Sequence, residues 1–292
     1  MIISVASGKG GTGKTTVATN MALALETPLT FLDCDVEAPN ANLFLQTDID
    51  STRQVGTPVP FVQEEGCTQC RKCMDICRFN AIAVVAENVL VFSELCHSCG
   101  GCMLVCPENI ITETDRELGN LEYGTCGLIR FVHGKMRIGE AMAPPLIKRV
   151  REEEDHEGLT IIDAPPGTSC PVIAAIDGVD FVLMVTEPTP FGLHDLKLAV
   201  EAVNFMGLPC GLVINRAGLG NSEVYSYAKK QDIPILLEIP FDRKIAETYS
   251  LGHSIIDTFP EWKKKFQQLY ADIVSIVQQK GKVDDRVEQC VK

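Results

Sequence analysis

No apolar run in the 292-residue chain approaches the roughly 18 residues that a membrane-crossing helix needs, so a soluble protein is expected. Positive charge is also scarce. Lysine and arginine number 26 against 39 aspartates and glutamates, and the formal charge of −13 argues against the basic footprint of a nucleic-acid-binding surface. The opening "MIISVAS" shows no charged start, apolar stretch and small-residue cleavage site of an export leader, and a cytoplasmic location is the expectation. Cysteine, in contrast, is plentiful at 13 residues, which in a reducing compartment points to metal ligation before disulfides. The remaining composition, 46% apolar and 22% charged, is that of a globular chain long enough for about two domains.

Eight of the cysteines repeat within one region. "CTQCRKCMDIC" carries Cys67, Cys70, Cys73 and Cys77, and "CHSCGGCMLVCP" carries Cys96, Cys99, Cys102 and Cys106; both read C-x2-C-x2-C-x3-C at an offset of 29 residues. The same register sets Asn80 on Asn109. Such a repeat is the signal of a bacterial ferredoxin with two [4Fe–4S] clusters. Three closely spaced thiolates of one loop reach one iron–sulfur cube, while the fourth, leading into a helix, points to the other. Cys67, Cys70, Cys73 and Cys106 are thereby assigned to one cluster, and Cys77, Cys96, Cys99 and Cys102 to its neighbour. Two zinc sites could use the same atoms, but zinc motifs typically set two C-x2-C pairs a dozen or more residues apart and need no third cysteine in each repeat. Arg78 stands where the second repeat has Pro107, a change in the local turn that removes no ligand. "AIAVV" and "NVLVF" predict a short hairpin and "NIITET" a closing strand, giving a small α+β ferredoxin-like domain inserted over residues 59–118.

On either side, over 1–58 and 119–292, apolar runs alternate with helical stretches. "MIISVAS", "LTFLDCD", "GLTIIDAPP", "VDFVLMVTE", "CGLVINR" and "IPILLEIP" are continuously apolar, as strands buried on both faces are, so a mostly parallel α/β sheet covered by helices is expected. Between the first of these and the helix "TTVATNMALAL" lies "GKGGTGKT", Gly8 to Thr15, which satisfies G-x4-G-K-[ST]. Gly8, Gly10, Gly11, Thr12 and Gly13 let backbone amides close on a phosphate, and the helix N-terminus at Thr15 and Thr16 adds its dipole. Lys14 reaches the β- and γ-phosphates, and the Thr15 hydroxyl suits Mg²⁺. Asp33 and Asp35 end the second strand and Asp163 a later one, where acidic groups can orient water or hold the metal, although an aspartate in such a place can also cap a helix. Cys34 is expected to pack as a small side chain, and His97, His194 and His253 have no partner spacing of note.

"KGGTGKTT", "LDCDVEAPN" and "DAPPGTS" resemble the deviant phosphate loop, switch I and switch II of the MinD/Mrp family of P-loop ATPases, to which the nitrogenase iron protein is more distantly related. With its inserted ferredoxin the chain is similar to the ferredoxin-containing branch of that family over nearly its whole length. The resemblance implies an ATP-dependent dimer, of two copies or of this chain with a paralogue, in which Lys9 crosses to the phosphates bound by the opposite subunit. It also implies that Lys14 and Thr15 bind phosphate and Mg²⁺ in cis, that Asp35 positions the attacking water, and that Asp163 supports the metal and senses the γ-phosphate. Adenine recognition falls to Asn215 and Arg216 of "VINR" and to Pro240, Phe241 and Asp242 of "IPFD". Two features depart from the family. The C-terminal C-x2-C of the iron–sulfur carriers is missing, since Cys210 and Cys290 stand alone. The apolar stripe of "EWKKKFQQLYADIVSIVQQ" is expected to pack on its own domain, and "GKVDDRVEQCVK" does not read as a membrane anchor. Cys170, seven residues after Asp163, is expected to be a buried side chain at a helix start, with a ligand of an extra, subunit-bridging cluster as the alternative. Three functions follow: ATP-gated electron transfer from the ferredoxin clusters to a partner protein, ATP-dependent carriage of metal clusters, or a ParA/MinD-like positioning switch with a redox-sensing domain.

Overall fold

The computed structural model of the protein describes the backbone of residues 1–291 and the side chains of residues 1–280. In chain order the elements are β1 (Ile2–Ala6), α1 (Lys14–Leu25), β2 (Leu29–Asp33), α2 (Ala41–Leu45), β3 (Asp48–Val62), α3 (Lys72–Ile76), β4 (Ile82–Val85), β5 (Asn88–Val91), α4 (Gly101–Leu104), β6 (Ile111–Cys126) and β7 (Ile129–Met136). They continue with α5 (Ala143–Arg151), β8 (Thr160–Asp163), α6 (Cys170–Ile176), β9 (Phe181–Thr186), α7 (Pro190–Phe205), β10 (Cys210–Ala217), α8 (Glu223–Lys230), β11 (Ile235–Pro240), α9 (Arg243–Ser250), α10 (Ile255–Thr258) and α11 (Glu261–Val291).

The strand order is β11-β10-β9-β1-β8-β2-β7-β6-β3. β1, β2, β8 and β9 are buried at every residue, and β1 pairs in parallel with both β8 and β9, as β2 does with β7 and β8. Strands covered on both faces need no polar alternation, which is why they read as unbroken apolar runs. Their register decides where the chemistry sits. Asp163 is level with Val5 on one side and with Asp33 on the other, so the ends of β2 and β8 deliver two carboxylates beside the loop that leaves β1.

The chain divides into two compact units, one of residues 1–52, 121–135 and 147–292, the other of residues 53–120 and 136–146. In the larger unit the core is built on Ile3, Val17, Met21, Phe31, Phe131 and Phe181, all fully buried. α11 adds Trp262, Phe266, Leu269 and Ile273 at spacings of three and four, one face of a helix, with Ile276 and Val277 partly buried beyond them. Burial of each large apolar side chain contributes about 2 kcal/mol, enough to fix the helix on its own unit. Among the described residues no helix is long and apolar enough to cross a membrane. The side chains of "GKVDDRVEQCVK", Cys290 included, lie outside the described residues.

The smaller unit differs in extent from the 59–118 expected for an insertion. It begins at Arg53 and takes in Met136–Leu146, because Arg116 forms a buried ion pair with Glu140, whose Oε1 also accepts from the amides of Ala141 and Met142 at 3.1 and 3.0 Å. β4 and β5 form the antiparallel hairpin, Ile82 opposite Val91. The strand that begins in "NIITET" runs on to Cys126, and β3 and β7 are strands that no apolar run announces.

Candidate functional site

The loop between β1 and α1 is crowded at two of its glycines. A Cβ on Gly8 would lie 2.2 Å from the Asp195 carbonyl oxygen, and Gly13, at φ +93°, would set one 2.2 Å from Asn215 Nδ2. Asn215 Nδ2 donates to the Thr12 carbonyl at 2.7 Å, so this residue, expected to recognise a base, also braces the loop from β10. Lys14 opens α1 with its side chain buried. Its Nζ donates to Asp163 Oδ1 at 3.1 Å and lies 3.8 Å from Asp35 Oδ2, and Thr15 Oγ1 donates to Asp163 Oδ2 at 2.6 Å. The four residues expected around the phosphates and metal are therefore adjacent.

Burial disfavours the Lys14 ammonium, yet the charges of Asp163 and Asp35 outweigh it and leave the pKa above the ordinary lysine value. Asp35 is pushed up from the usual carboxylate range by burial, with Lys14 opposing. Asp33 is fully buried, and burial followed by the charge of Asp163 raises it to about 7. Its Oδ2 accepts from the amides of Asn40 and Ala41 at 3.1 and 3.0 Å and its Oδ1 from Asp35 N at 3.0 Å. Asp33 thus ties down the first amides of α2 and the loop that leads to them from β2, whereas Asp35 keeps a 22% exposed side chain facing Lys14. Three carboxylates around one ammonium leave a negative excess, which a divalent cation would balance.

Gly11, Gly13 and Thr16 border a cavity of about 250 Å³ whose walls include Asn215, Arg216, Pro240, Phe241, Asp242 and Tyr249. All five residues expected at the base line it. Asp242 has a second task, its Oδ1 accepting from Lys244 N at 2.8 Å as the cap of α9.

Lys9 sits apart from Lys14. Its Nζ is paired with Glu187 just beyond β9, and Arg216 Nη1 holds the other oxygen of that carboxylate at 2.9 Å. Burial pushes the Glu187 carboxyl up, but the Lys9 hydrogen bond and the two cationic charges hold it below the usual range. Nothing in the sequence marked Glu187, because its partner lies 178 residues away.

The eight repeat cysteines sort into two cavities of the smaller unit. Cys77, Cys96, Cys99 and Cys102 line one, and Cys67, Cys70, Cys73 and Cys106 the other. The repeat extends to the backbone: Gln69, Arg71 and Asn80 have φ of 54°, 63° and 53°, and their counterparts Ser98, Gly100 and Asn109 have 53°, 70° and 54°. Left-handed residues in these loops turn amides inward, and Ala81 N donates to Cys77 Sγ at 3.3 Å and Ser98 N to Cys96 Sγ at 3.4 Å. His97, which had no expected role, stacks on Phe79 with ring centroids 3.6 Å apart, both bordering the first cavity. Among the described residues no three His, Cys, Asp or Glu side chains converge tightly enough for a single metal ion. Cys34 is buried as expected, but Cys170 at the start of α6 is exposed, correcting the expectation of a packed thiol: the helix it opens buries Val172, Ala175 and Ile176 and leaves its first residue outside.

The model of the CobQ/CobB/MinD/ParA nucleotide binding domain matches residues 3–255. The chain belongs to this family. An uncharacterized protein of Methanocaldococcus jannaschii is 30% identical over 95% of this chain and 98% of its own length. An iron-sulfur cluster carrier protein of Pyrococcus abyssi is 24% identical over 87% of this chain and 78% of its own length. Among solved structures, the septum site-determining protein MinD of Pyrococcus horikoshii, complexed with Mg-ADP, superposes with a TM-score of 0.57 at 22% identity, covering 93% of this chain and 95% of that one. The α/β P-loop fold is thereby shared with MinD.

Proposed function

We propose that the chain binds and hydrolyses ATP with Mg²⁺, and that nucleotide-dependent pairing of two chains gates electron transfer from two [4Fe–4S] clusters to a partner protein. The observation that carries this reading is the sorting of the eight cysteines into two cavities, four and four, in the crossed pattern that a C-x2-C-x2-C-x3-C repeat requires. The donor set fits. Each cavity offers four thiols, and sulfur ligands spread around a cavity suit a cube of four irons better than one zinc ion, which draws four sulfurs to about 2.3 Å of a single point. When bound, the clusters supply one-electron chemistry; the protein holds them with Cys67, Cys70, Cys73 and Cys106, and with Cys77, Cys96, Cys99 and Cys102.

At the nucleotide, Lys14 meets the β- and γ-phosphates and exchanges its contacts with Asp163 and Asp35 for them. Thr15 and Asp163, joined by a hydrogen bond, would hold Mg²⁺, which would supply positive charge to balance the phosphates. Asp35, the most accessible of the three carboxylates, orients the attacking water. Asn215, Arg216 and Pro240 to Asp242 enclose the adenine. Lys9 serves the phosphates held by a second chain, either another copy or a paralogue. A cytoplasmic location suits reduced thiols and an ATP supply.

A carrier or scaffold role in cluster assembly is the second reading, and the likeness to the Pyrococcus abyssi iron-sulfur cluster carrier favours it. Cys210 and Cys290 standing alone in place of a C-terminal cysteine pair, and four thiols for each cavity in the manner of a ferredoxin that keeps its clusters, weigh towards clusters that stay. Anaerobic measurement of ATP turnover and of sedimentation with a non-hydrolysable ATP analogue, in the oxidised and dithionite-reduced protein, separates the two. Gating predicts that the redox state changes turnover or association severalfold with iron retained; release of iron to an apo-acceptor, with no redox effect, supports the carrier.

A further inference from the structure

We infer that Glu187 is a positioning residue that holds Lys9 within its own chain until pairing of two chains draws it away, with Arg216 as the second cation that keeps the carboxylate neutralised after release. The inference rests on the reading above, in which Lys9 serves a second chain. The ammonium of Lys9 is turned to Glu187 and not to the Lys14 pocket, and Ser7 Oγ, donating to the Lys9 carbonyl at 2.8 Å, fixes the backbone in that pose. Glu187 is itself held rigidly. It follows the buried strand β9, its carbonyl accepts from Thr189 N at 2.8 Å, and a Cβ on Gly192 would approach that carbonyl to 2.4 Å, so the turn has no slack.

The division of the carboxylate between two cations is what makes it a releasable hold. Glu187 has a side chain only 9% exposed, and a buried carboxylate stripped of every partner is strongly unfavourable. Lys9 uses Oε1, whereas Arg216 uses Oε2 at 2.9 Å, and Thr189 Oγ1 donates to Oε1 at 3.3 Å. Departure of Lys9 therefore leaves an ion pair and a hydrogen bond in place. Lys9 is already 29% exposed and has a path outward. Arg216 also lines the cavity bordered by Gly13 and Phe241, so the residue that stabilises the released state touches the space where the base would lie. Nucleotide entry and lysine release share one carboxylate.

The test uses the full chain with its iron and sulfide, a non-hydrolysable ATP analogue and sedimentation velocity across a concentration series. Glu187→Gln keeps the shape and a carbonyl oxygen for Arg216 but deletes the charge that restrains Lys9, and is expected to strengthen nucleotide-dependent association about tenfold. Amine-specific acylation read by mass spectrometry should label Lys9 several times faster in the nucleotide-free variant than in the wild type. Glu201→Gln removes the same charge from an exposed position of α7 and should change neither quantity. Should Glu187→Gln not fold, Glu187→Asp, which withdraws the carboxylate by one methylene, is expected to strengthen association about threefold. Unchanged or weaker association with unchanged Lys9 labelling overturns the inference, as does equal strengthening by Glu201→Gln. Lys9→Ala separates the two levels: loss of association supports the role in trans whether or not Glu187→Gln acts, and normal association overturns both.

Discussion

Replacing Lys14 by methionine conserves side-chain length and deletes one buried charge from a pocket that holds Asp33, Asp35 and Asp163. At an effective dielectric of about 20, the attraction of Lys14 Nζ is ~5 kcal/mol to Asp163 at 3.1 Å and ~4 kcal/mol to Asp35 at 3.8 Å. The cost of burying the ammonium offsets much of this, and breaking a buried pair leaves a net loss of about 3 kcal/mol. The loss has a pH signature. Without the cation, the folded pKa of Asp33, already raised to about 7 by burial and by the charge of Asp163 level with it, rises further above its unfolded value. The folded variant then binds more protons than the unfolded chain, so its stability falls as pH rises, and the deficit against wild type is larger at about pH 8 than at about pH 5.5. Urea denaturation of the nucleotide-free protein, followed anaerobically by circular dichroism at both pH values, reads this directly. A deficit independent of pH, or larger in acid, would refute the electrostatic account of the pocket.

Asp35→Asn should bind ATP with affinity near wild type and lose at least about a hundredfold in turnover, checked by equilibrium titration and phosphate release; loss of turnover in Asp33→Asn with Asp35→Asn active would assign the wrong aspartate. Asp33 itself carries a pH prediction. With a folded pKa of about 7 against an ordinary aspartate value of 3.8, it takes up a proton on folding and costs stability as pH rises through that interval, so the wild type should lose stability relative to Asp33→Asn between those limits; parallel denaturation curves would contradict the burial assigned to it. Gly13→Ala, at φ +93° and with its Cβ 2.2 Å from Asn215 Nδ2, should cost about 1–3 kcal/mol and weaken nucleotide binding at least about tenfold by calorimetry. Gly10→Ala, which meets nothing within 4 Å, should fold as the wild type does, and equal destabilisation of the two would count against the brace.

The central strands, the phosphate loop and the crossed cysteine sets were legible because each is a local pattern. An unbroken apolar run, an eight-residue motif leading from strand into helix, and a spacing repeated at a fixed offset all survive reading in one dimension. β3 was not, and of β6 only the start was. "DIDSTRQ" at the start of β3 is exposed throughout, so selection for burial left no apolar mark on it, and the course of β6 on to Cys126 carries no continuous apolar run. Arg116 also shows why the domain limits shifted: its partner Glu140 lies beyond β7, and an ion pair across 24 residues has no signature in either segment. The choice between Asp33 and Asp35 needed three dimensions as well. Both precede a helix, and only the amides of Asn40 and Ala41 turned onto Asp33 identify it as the one that ties down α2. Cys170 illustrates the opposite error, in which a residue type usually found buried stands exposed because α6 turns its apolar face elsewhere.

The assignment of two [4Fe–4S] clusters to the eight repeat cysteines is tested most directly by iron and acid-labile sulfide analysis of the anaerobically purified chain, with metal content measured in parallel. Two clusters predict about eight iron and about eight sulfide per chain, falling to about four of each when Cys77, Cys96, Cys99 and Cys102 are replaced together. Stoichiometric zinc with no sulfide would contradict the account at its foundation.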